Sequence, residues 1–243
     1  MKSLKHLFKL VIFFAVLWIL FLFTFSTIYP IADKVKEATA NKVTAINSRY
    51  LTQKQIPKMF EQAVIQTEDA RFYSHFGIDL VGIGRSIWTD AIKGQLSQGG
   101  STITQQLVRN TILSPDKTFA RKMKEIVLAI ALDHFMSKDQ ILEDYLNVIY
   151  FGHGAYGAEQ AAETYFGKPL HVLTLAEWSL LAGLPNAPSA YDPYIAMNLA
   201  KDRQNEILLN LVNSKAITQS EADIAFKQKI QLRDASASKQ TAK

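Results

Sequence analysis

The chain contains no cysteine, so disulfides cannot hold it together and any domain it forms must bury a real core. Runs that alternate apolar and polar residues are missing too, which argues against a sheet-based fold and for a mainly α one. No internal repeat occurs. The excess of positive charge is small: 27 Lys and Arg against 22 Asp and Glu give a net charge of +5. That is modest for nucleic-acid binding and better suits a phosphate-bearing partner or an anionic membrane surface. What the 243 residues do offer is 48% hydrophobic and 20% charged composition, enough for one globular domain and an additional segment.

That segment is Leu10–Ile28 (LVIFFAVLWILFLFTFSTI), 19 residues without a charge. As a helix it is about 28 Å long, close to the roughly 30 Å hydrocarbon core of a bilayer. Fourteen of its residues are Leu, Ile, Val or Phe, each favouring insertion. A cleavable signal peptide is the alternative, but its apolar region is usually shorter and no clear small-x-small site follows Phe25. An uncleaved anchor is therefore expected. Lys2, Lys5 and Lys9 precede the run and keep the N-terminus in the cytoplasm, which places residues 30–243 outside.

Beyond it, Tyr29–Pro57 reads as an amphipathic helix leading away from the bilayer. Further helices are marked by their first residues. Ser137 opens SKDQILEDYLNVIYFG as an S-x-x-Q box that Gly152 can end. Thr174 opens TLAEWSLLAGLP, with Gly183 and Pro185 as stop signals, and Thr218 opens TQSEADIAFKQKI. Arg121–Phe135 has apolar residues at helical spacing. Pro185–Tyr194 (PNAPSAYDPY) is a proline-punctuated loop, and RDASASKQTAK at the end is small and polar, read as a disordered tail.

An acid stands where a core would be expected, in Gln66–Gly77 (QTEDARFYSHFG). If Gln62–His75 is a helix, Glu68 shares a face with Val64, Ile65, Phe72 and His75. Desolvation there raises a carboxyl toward the range of a useful base at neutral pH. Asp69 points about 100° away and can cap, or pair with Arg71 or a backbone amide. The bland reading makes Glu68 a helix-end acid tied up by Arg71.

Two more stretches bear on the choice. In Gln98–Asn110 (QGGSTITQQLVRN), two glycines precede Ser101 or Thr102 as a helix cap, and Thr102, Gln105 and Arg109 share one polar face. Hydroxyls, carboxamides and a guanidinium at a helix start suit an anion, although no nucleotide-binding G-x-x-x-x-G-K-S/T pattern is present. In Lys117–Glu125 (KTFARKMKE), Lys117, Arg121, Lys122 and Lys124 lead into Glu125. On a plain surface helix, Arg121–Glu125 is a pair worth ~0.3–0.5 kcal/mol. The same cations can also hold a diphosphate. Paired carboxylates suggest glycosyl chemistry, and the cations suggest that the leaving group is a phosphate rather than a sugar.

These motifs together resemble the peptidoglycan glycosyltransferases, which polymerise lipid II into glycan strands. The resemblance runs from about Ile56 to Tyr194. It is carried by Glu68-Asp69-x-x-Phe72-x-x-His75-x-Gly77, Gly100-Ser101-Thr102-Ile103-Thr104-Gln105-Gln106, Arg121-Lys122-x-x-Glu125, Ile141-Leu142-Glu143-x-Tyr145-Leu146-Asn147 and Leu181-Ala182-Gly183-Leu184-Pro185. It implies a mainly α, lysozyme-like, two-lobed glycosyltransferase domain at 56–232. Ahead of it come a cytoplasmic N-terminus at 1–9, the transmembrane helix at 10–28 and a juxtamembrane helical linker at 29–55. The disordered tail occupies 233–243.

By position the resemblance makes Glu68 the general base and Glu125 the second catalytic carboxylate. It places Ser101, Gln105, Arg109, Lys117, Arg121, Lys124 and Tyr150 on the donor diphosphate and sugar. Asp69, Phe72, His75, Gly100, Thr102, Gln106 and Asn147 are expected as framework. Arg109 stands where relatives often carry lysine, so a planar fork replaces a point charge. The resemblance further implies a divalent cation, Mg or Mn, at the diphosphate, and no organic cofactor. Its implied partners are lipid II, the growing polyprenyl-diphosphate glycan chain, the cytoplasmic membrane and other cell-wall synthesis proteins, with no nucleic acid. Ser114-x-x-Lys117 and Ser236-x-x-Lys239 satisfy S-x-x-K, but no K-T-G or S-x-N follows, so no transpeptidase activity is expected. A lytic glycosidase of related fold and a non-catalytic cell-wall scaffold are the rival readings.

Overall fold

The computed structural model describes residues 29–85 and 100–234, together with Phe13, Phe14 and Trp18, which are helical and exposed. The rest of the expected anchor at Leu10–Ile28, and the tail from 235 onward, lie outside the described residues. Among the described residues no helix is long and apolar enough to cross a membrane.

The domain is mainly helical, as the missing alternation predicts. In chain order we number α1 (Ile31–Ala45), α2 (Lys58–Glu68), α3 (Ile103–Thr111), α4 (Phe119–Phe135), α5 (Lys138–Val148), β1 (Tyr150–Gly152), β2 (Ala155–Tyr156), α6 (Ala158–Phe166), α7 (Leu175–Ala182), α8 (Met197–Asn213) and α9 (Gln219–Lys227). Short 3-10 turns occupy Phe72–Ser74 and Leu170–Val172. The helices pack in two sets. Helices α1, α3, α4 and α5 lie against one another, as do α2, α7, α8 and α9, with α6 touching α5 and α7.

Local sequence accounts for most helix starts. Thr174 and Thr218 make reciprocal boxes with Glu177 and Glu221, and the Ser137 hydroxyl accepts the Gln140 amide. Burial follows helical spacing: Phe60, Ala63 and Val64 on α2, and Ala200, Ile207, Leu208 and Leu211 on α8, join the common core.

Four expectations are corrected by tertiary contacts. The helix expected over Gln62–His75 stops at Glu68, because Asp69 takes φ −160° and ψ 69° and turns its carboxylate elsewhere. Helix α5 ends at Val148 rather than near Gly152. Ile149 is extended there, and residues 150–152 pair antiparallel with 155–156 around His153 and Gly154. The helix expected in the 29–55 linker is present as α1, but it is packed into the domain. Helix α1 ends at Ala45 and buries Ile31 and Val35 in the core, and the residues after it are tied to α5, where the Asn147 carboxamide bonds both the N–H and the C=O of Leu51 at 2.8 Å. The tail expected to begin at 233 is docked at its first residue: Arg233 N–H donates to the Tyr165 carbonyl at 2.7 Å, and its carbonyl accepts from the Tyr194 hydroxyl at 2.9 Å.

Candidate active site

Glu68 is the last residue of α2, so its side chain leaves the helix where the two sets of helices meet. Asp69 turns the other way and is buried. It accepts from the His75 Nε2 at 2.8 Å and from the Ile103 amide at 3.0 Å. Ile103 is the first residue of α3, and the free amides of a helix start favour a carboxylate. Arg71, the partner a plain helix would have given Glu68, pairs with Asp79 instead.

Helix α3 is set by a capping box of its own. Thr102 accepts the Gln105 amide at 3.1 Å, and Gln105 Oε1 accepts the Thr102 amide at 3.0 Å. The Thr102 hydroxyl also donates to the Gly77 carbonyl at 2.7 Å. Gly77 has φ +86°, and a Cβ there would stand 2.3 Å from the Ala129 carbonyl oxygen, so only glycine lets this segment lie on α4.

Gln106 then faces Glu68. Its Nε2 donates to Glu68 Oε2 at 2.9 Å, while the buried Tyr145 hydroxyl of α5 donates to its Oε1 at 3.2 Å. An ionised carboxylate only accepts, so it draws the NH₂ end of Gln106, and the Tyr145 hydroxyl, which can donate or accept, donates to the oxygen. Burial pushes the Glu68 carboxyl above its ordinary range. The Gln106 hydrogen bond and the charges of Arg203 and Arg109 pull it back in part, and Asp69 adds to the rise. Glu68 Oε1 is buried with no partner. The acid opens onto a cleft of about 120 Å³ whose other walls are Thr67, Ser101, Gln106, Arg109, Pro185 and Asn186.

The second carboxylate lies in an ion cluster beside this cleft. Glu125 is fully buried on α4; Arg121 Nη1 donates to its Oε2 at 2.7 Å, and Lys122 Nζ donates to Oε1. Lys122 Nζ also donates to Ser101 Oγ at 3.0 Å. Ser101 therefore belongs both to the cleft and to the cluster, and joins Glu68 to Glu125, Arg121 and Lys122 in one region. The 121–125 pair is thus not a surface salt bridge but a desolvated carboxylate between two cations.

The other expected positions divide. Arg109 lines the cleft. Gln105 is 2% exposed and occupied by the cap, so its neighbour Gln106 is the one that reaches the acid. Lys117 and Lys124 are exposed, and no described contact ties either to Glu68 or Glu125. Tyr150 packs its ring 4.7 Å from Tyr156 in the hairpin, outside the cleft lining. Phe72 is core, Gly100 is exposed before α3, and Asn147 straps Leu51. Sequence reasoning missed Lys122 as the second partner of Glu125, although its i, i+3 spacing carried that signal. It also missed Tyr145, Asn186 and Arg203, whose roles depend on contacts far along the chain. Among the described residues, the cluster leaves a divalent cation no carboxylate oxygen free of an ion pair. Glu125 is the one carboxylate of the cluster, both its oxygens accept from cations, and among the described residues no three His, Cys, Asp or Glu side chains gather as ligands.

Comparison with known proteins bears on the family of the chain. The chain is 49% identical over 173 residues to penicillin-binding protein 1A of Escherichia coli (strain K12), covering 71% of this chain and 20% of that protein. Against penicillin-binding protein 1A of Haemophilus influenzae it is 44% identical over 175 residues, covering 72% and 20%. The chain thus spans about one fifth of the length of these relatives. A crystal structure of the Haemophilus influenzae protein overlays with a TM-score of 0.48 at 25% identity, covering 76% of this chain and 18% of that one. The family profile described as Transglycosylase matches residues 35–212, well over half of the sequence, and the chain belongs to that family.

Proposed function

We propose that this chain polymerises lipid II into glycan strands, as a lysozyme-like two-lobed peptidoglycan glycosyltransferase held at the outer face of the cytoplasmic membrane. The observation that carries the reading is Ser101, which shares a cleft with Glu68 and a hydrogen bond with the Lys122–Glu125–Arg121 cluster. Glu68 and Arg109 thus border one space, and the Lys122–Glu125–Arg121 cluster stands one hydrogen bond behind its Ser101 wall.

In this mechanism the acceptor's GlcNAc 4-hydroxyl approaches Glu68. The Glu68 carboxylate, whose Oε1 accepts no hydrogen bond, receives the proton as the sugar oxygen attacks C1 of the donor MurNAc. Gln106 holds Oε2 and so fixes the direction of Oε1. Burial raises the affinity of Glu68 for a proton, which makes it a competent base near neutral pH. The bond from C1 to the polyprenyl diphosphate breaks on the opposite face, with inversion from α to β. Arg109, Arg121 and Lys122 meet the negative charge that develops on the departing diphosphate. Glu125 holds Arg121 and Lys122 apart and in place.

Membrane placement has its own support. The outer face of α4 exposes Phe119, Met123, Val127 and Ile130 at helical spacing. Its end, Phe135, meets the Tyr29 ring edge-on at 5.9 Å, directly after the apolar 10–28 segment. Substrates anchored in a leaflet require a cleft kept at that surface.

The test is incubation of the full chain with lipid II in detergent or bilayers. Polymer is expected from the wild type and none from Glu68→Gln, with the fold intact by circular dichroism. Fragments from preformed glycan strands would favour a lytic enzyme, and binding without turnover a scaffold. Near-wild-type polymer from Glu68→Gln would remove Glu68 as the base.

A further inference from the structure

Arg203 lies on α8, nine residues beyond the loop that closes the cleft, and nothing in the sequence around it marks it for chemistry. Its surroundings do. The aliphatic stem presses on Gly183, so closely that a Cβ there would lie 2.8 Å from Arg203 Cγ. Gly183 ends α7, and two residues later Pro185 and Asn186 form a wall of the Glu68 cleft. The guanidinium stands over the Tyr191 ring at 5.7 Å, and one of its nitrogens, Nη1, bonds the largely exposed Glu206 at 2.7 Å. Its Nε is buried without a partner. A desolvated guanidinium satisfied only at its outer end is costly to keep for packing alone.

We propose that Arg203 is a positioning residue for the reaction at Glu68: it fixes the Pro185–Asn186 wall of the cleft and brings a positive charge to bear on the Glu68 carboxylate. The inference rests on Glu68 being the base. The groups that act on Glu68 are Asp69 beside it in the chain, Gln106 and Arg109 from α3, and Arg203 from α8, with un-ionised Tyr145 of α5 behind Gln106. Among the charged ones, Arg203 and Arg109 both hold the carboxyl down. Without Arg203 the base stays protonated to higher pH.

The experiment is the pH profile of kcat/KM for lipid II polymerisation by the full chain and three variants. Arg203→Gln should move the acid limb up by about half a pH unit or more, so that activity at the acid end falls at least about threefold further than on the alkaline plateau. Arg203→Lys keeps the charge and should keep the limb. Glu206→Gln breaks only the outer ion pair and should leave it unmoved. If Arg203→Gln does not fold, Gly183→Ala carries the test, since its Cβ displaces Arg203 without removing the charge and should move the limb the same way. An Arg203→Gln profile lowered by one factor at every pH, or not changed at all, overturns the proposal. Should Glu68→Gln keep its turnover, the reading of the base fails instead; an inactive Glu68→Gln with an unmoved limb in the Arg203 variants refutes this inference alone.

Discussion

Glu125→Gln tests the ion cluster most directly. The substitution keeps the shape of the side chain and removes one charge from a fully buried position, leaving Arg121 and Lys122 side by side without their carboxylate. Removing one partner of a buried pair costs ~3–5 kcal/mol when the remaining charge stays dry. Here the Arg121 side chain is 15% exposed and that of Lys122 39%, so water recovers part of that loss, and ~2–3 kcal/mol is expected. For a domain of this size each kcal/mol moves Tm by ~2–4 °C, which gives a fall of roughly 4–12 °C. Thermal unfolding of the full chain by circular dichroism measures it. Polymerisation well below the new Tm should fall by ~10²-fold or more, because the cations facing the diphosphate lose their fixed positions. A Tm within about a degree of wild type would refute the desolvated three-residue cluster, whatever happened to activity.

The remaining predictions concern the neighbours of both acids. Gln106→Ala removes the hydrogen bond that favours ionised Glu68, so the acid limb of the polymerisation profile should shift to higher pH; an unmoved limb would break the link between the two side chains. Lys122→Met should impair donor use more than Lys124→Met, because Lys122 bonds both Glu125 and Ser101 while Lys124 is exposed; equal losses in a donor titration would contradict that ranking. Burial pushes the Asp144 carboxyl from 3.8 up to about 6. The folded chain therefore holds that proton more tightly than the unfolded one, and the stability it contributes is full below the unfolded value and lost as pH rises through about 6. Asp144→Asn should accordingly raise Tm more at about pH 7.5 than at about pH 4.5, and the same change at both would show that Asp144 does not titrate in this range.

The sequence by itself determined most helix starts and part of the lining of the cleft. Thr102, Thr174 and Thr218 started their helices as their three-residue spacing to Gln or Glu requires, because a capping box is closed within one turn. The spacing of Arg121 and Glu125 likewise foretold their hydrogen bond, and Glu68, Ser101 and Arg109 do border one cleft. Tertiary structure decided the rest. Asp69 ended α2 at Glu68 because its carboxylate is drawn to an amide 34 residues away and to His75, and no window of sequence displays that pull. Packing chose Gln106 over Gln105 by spending the latter in the cap. Desolvation made Glu125 a buried hub and brought Arg203 to bear on Glu68. Burial and through-space charge depend on which distant surfaces meet, and helical periodicity carries no information about that.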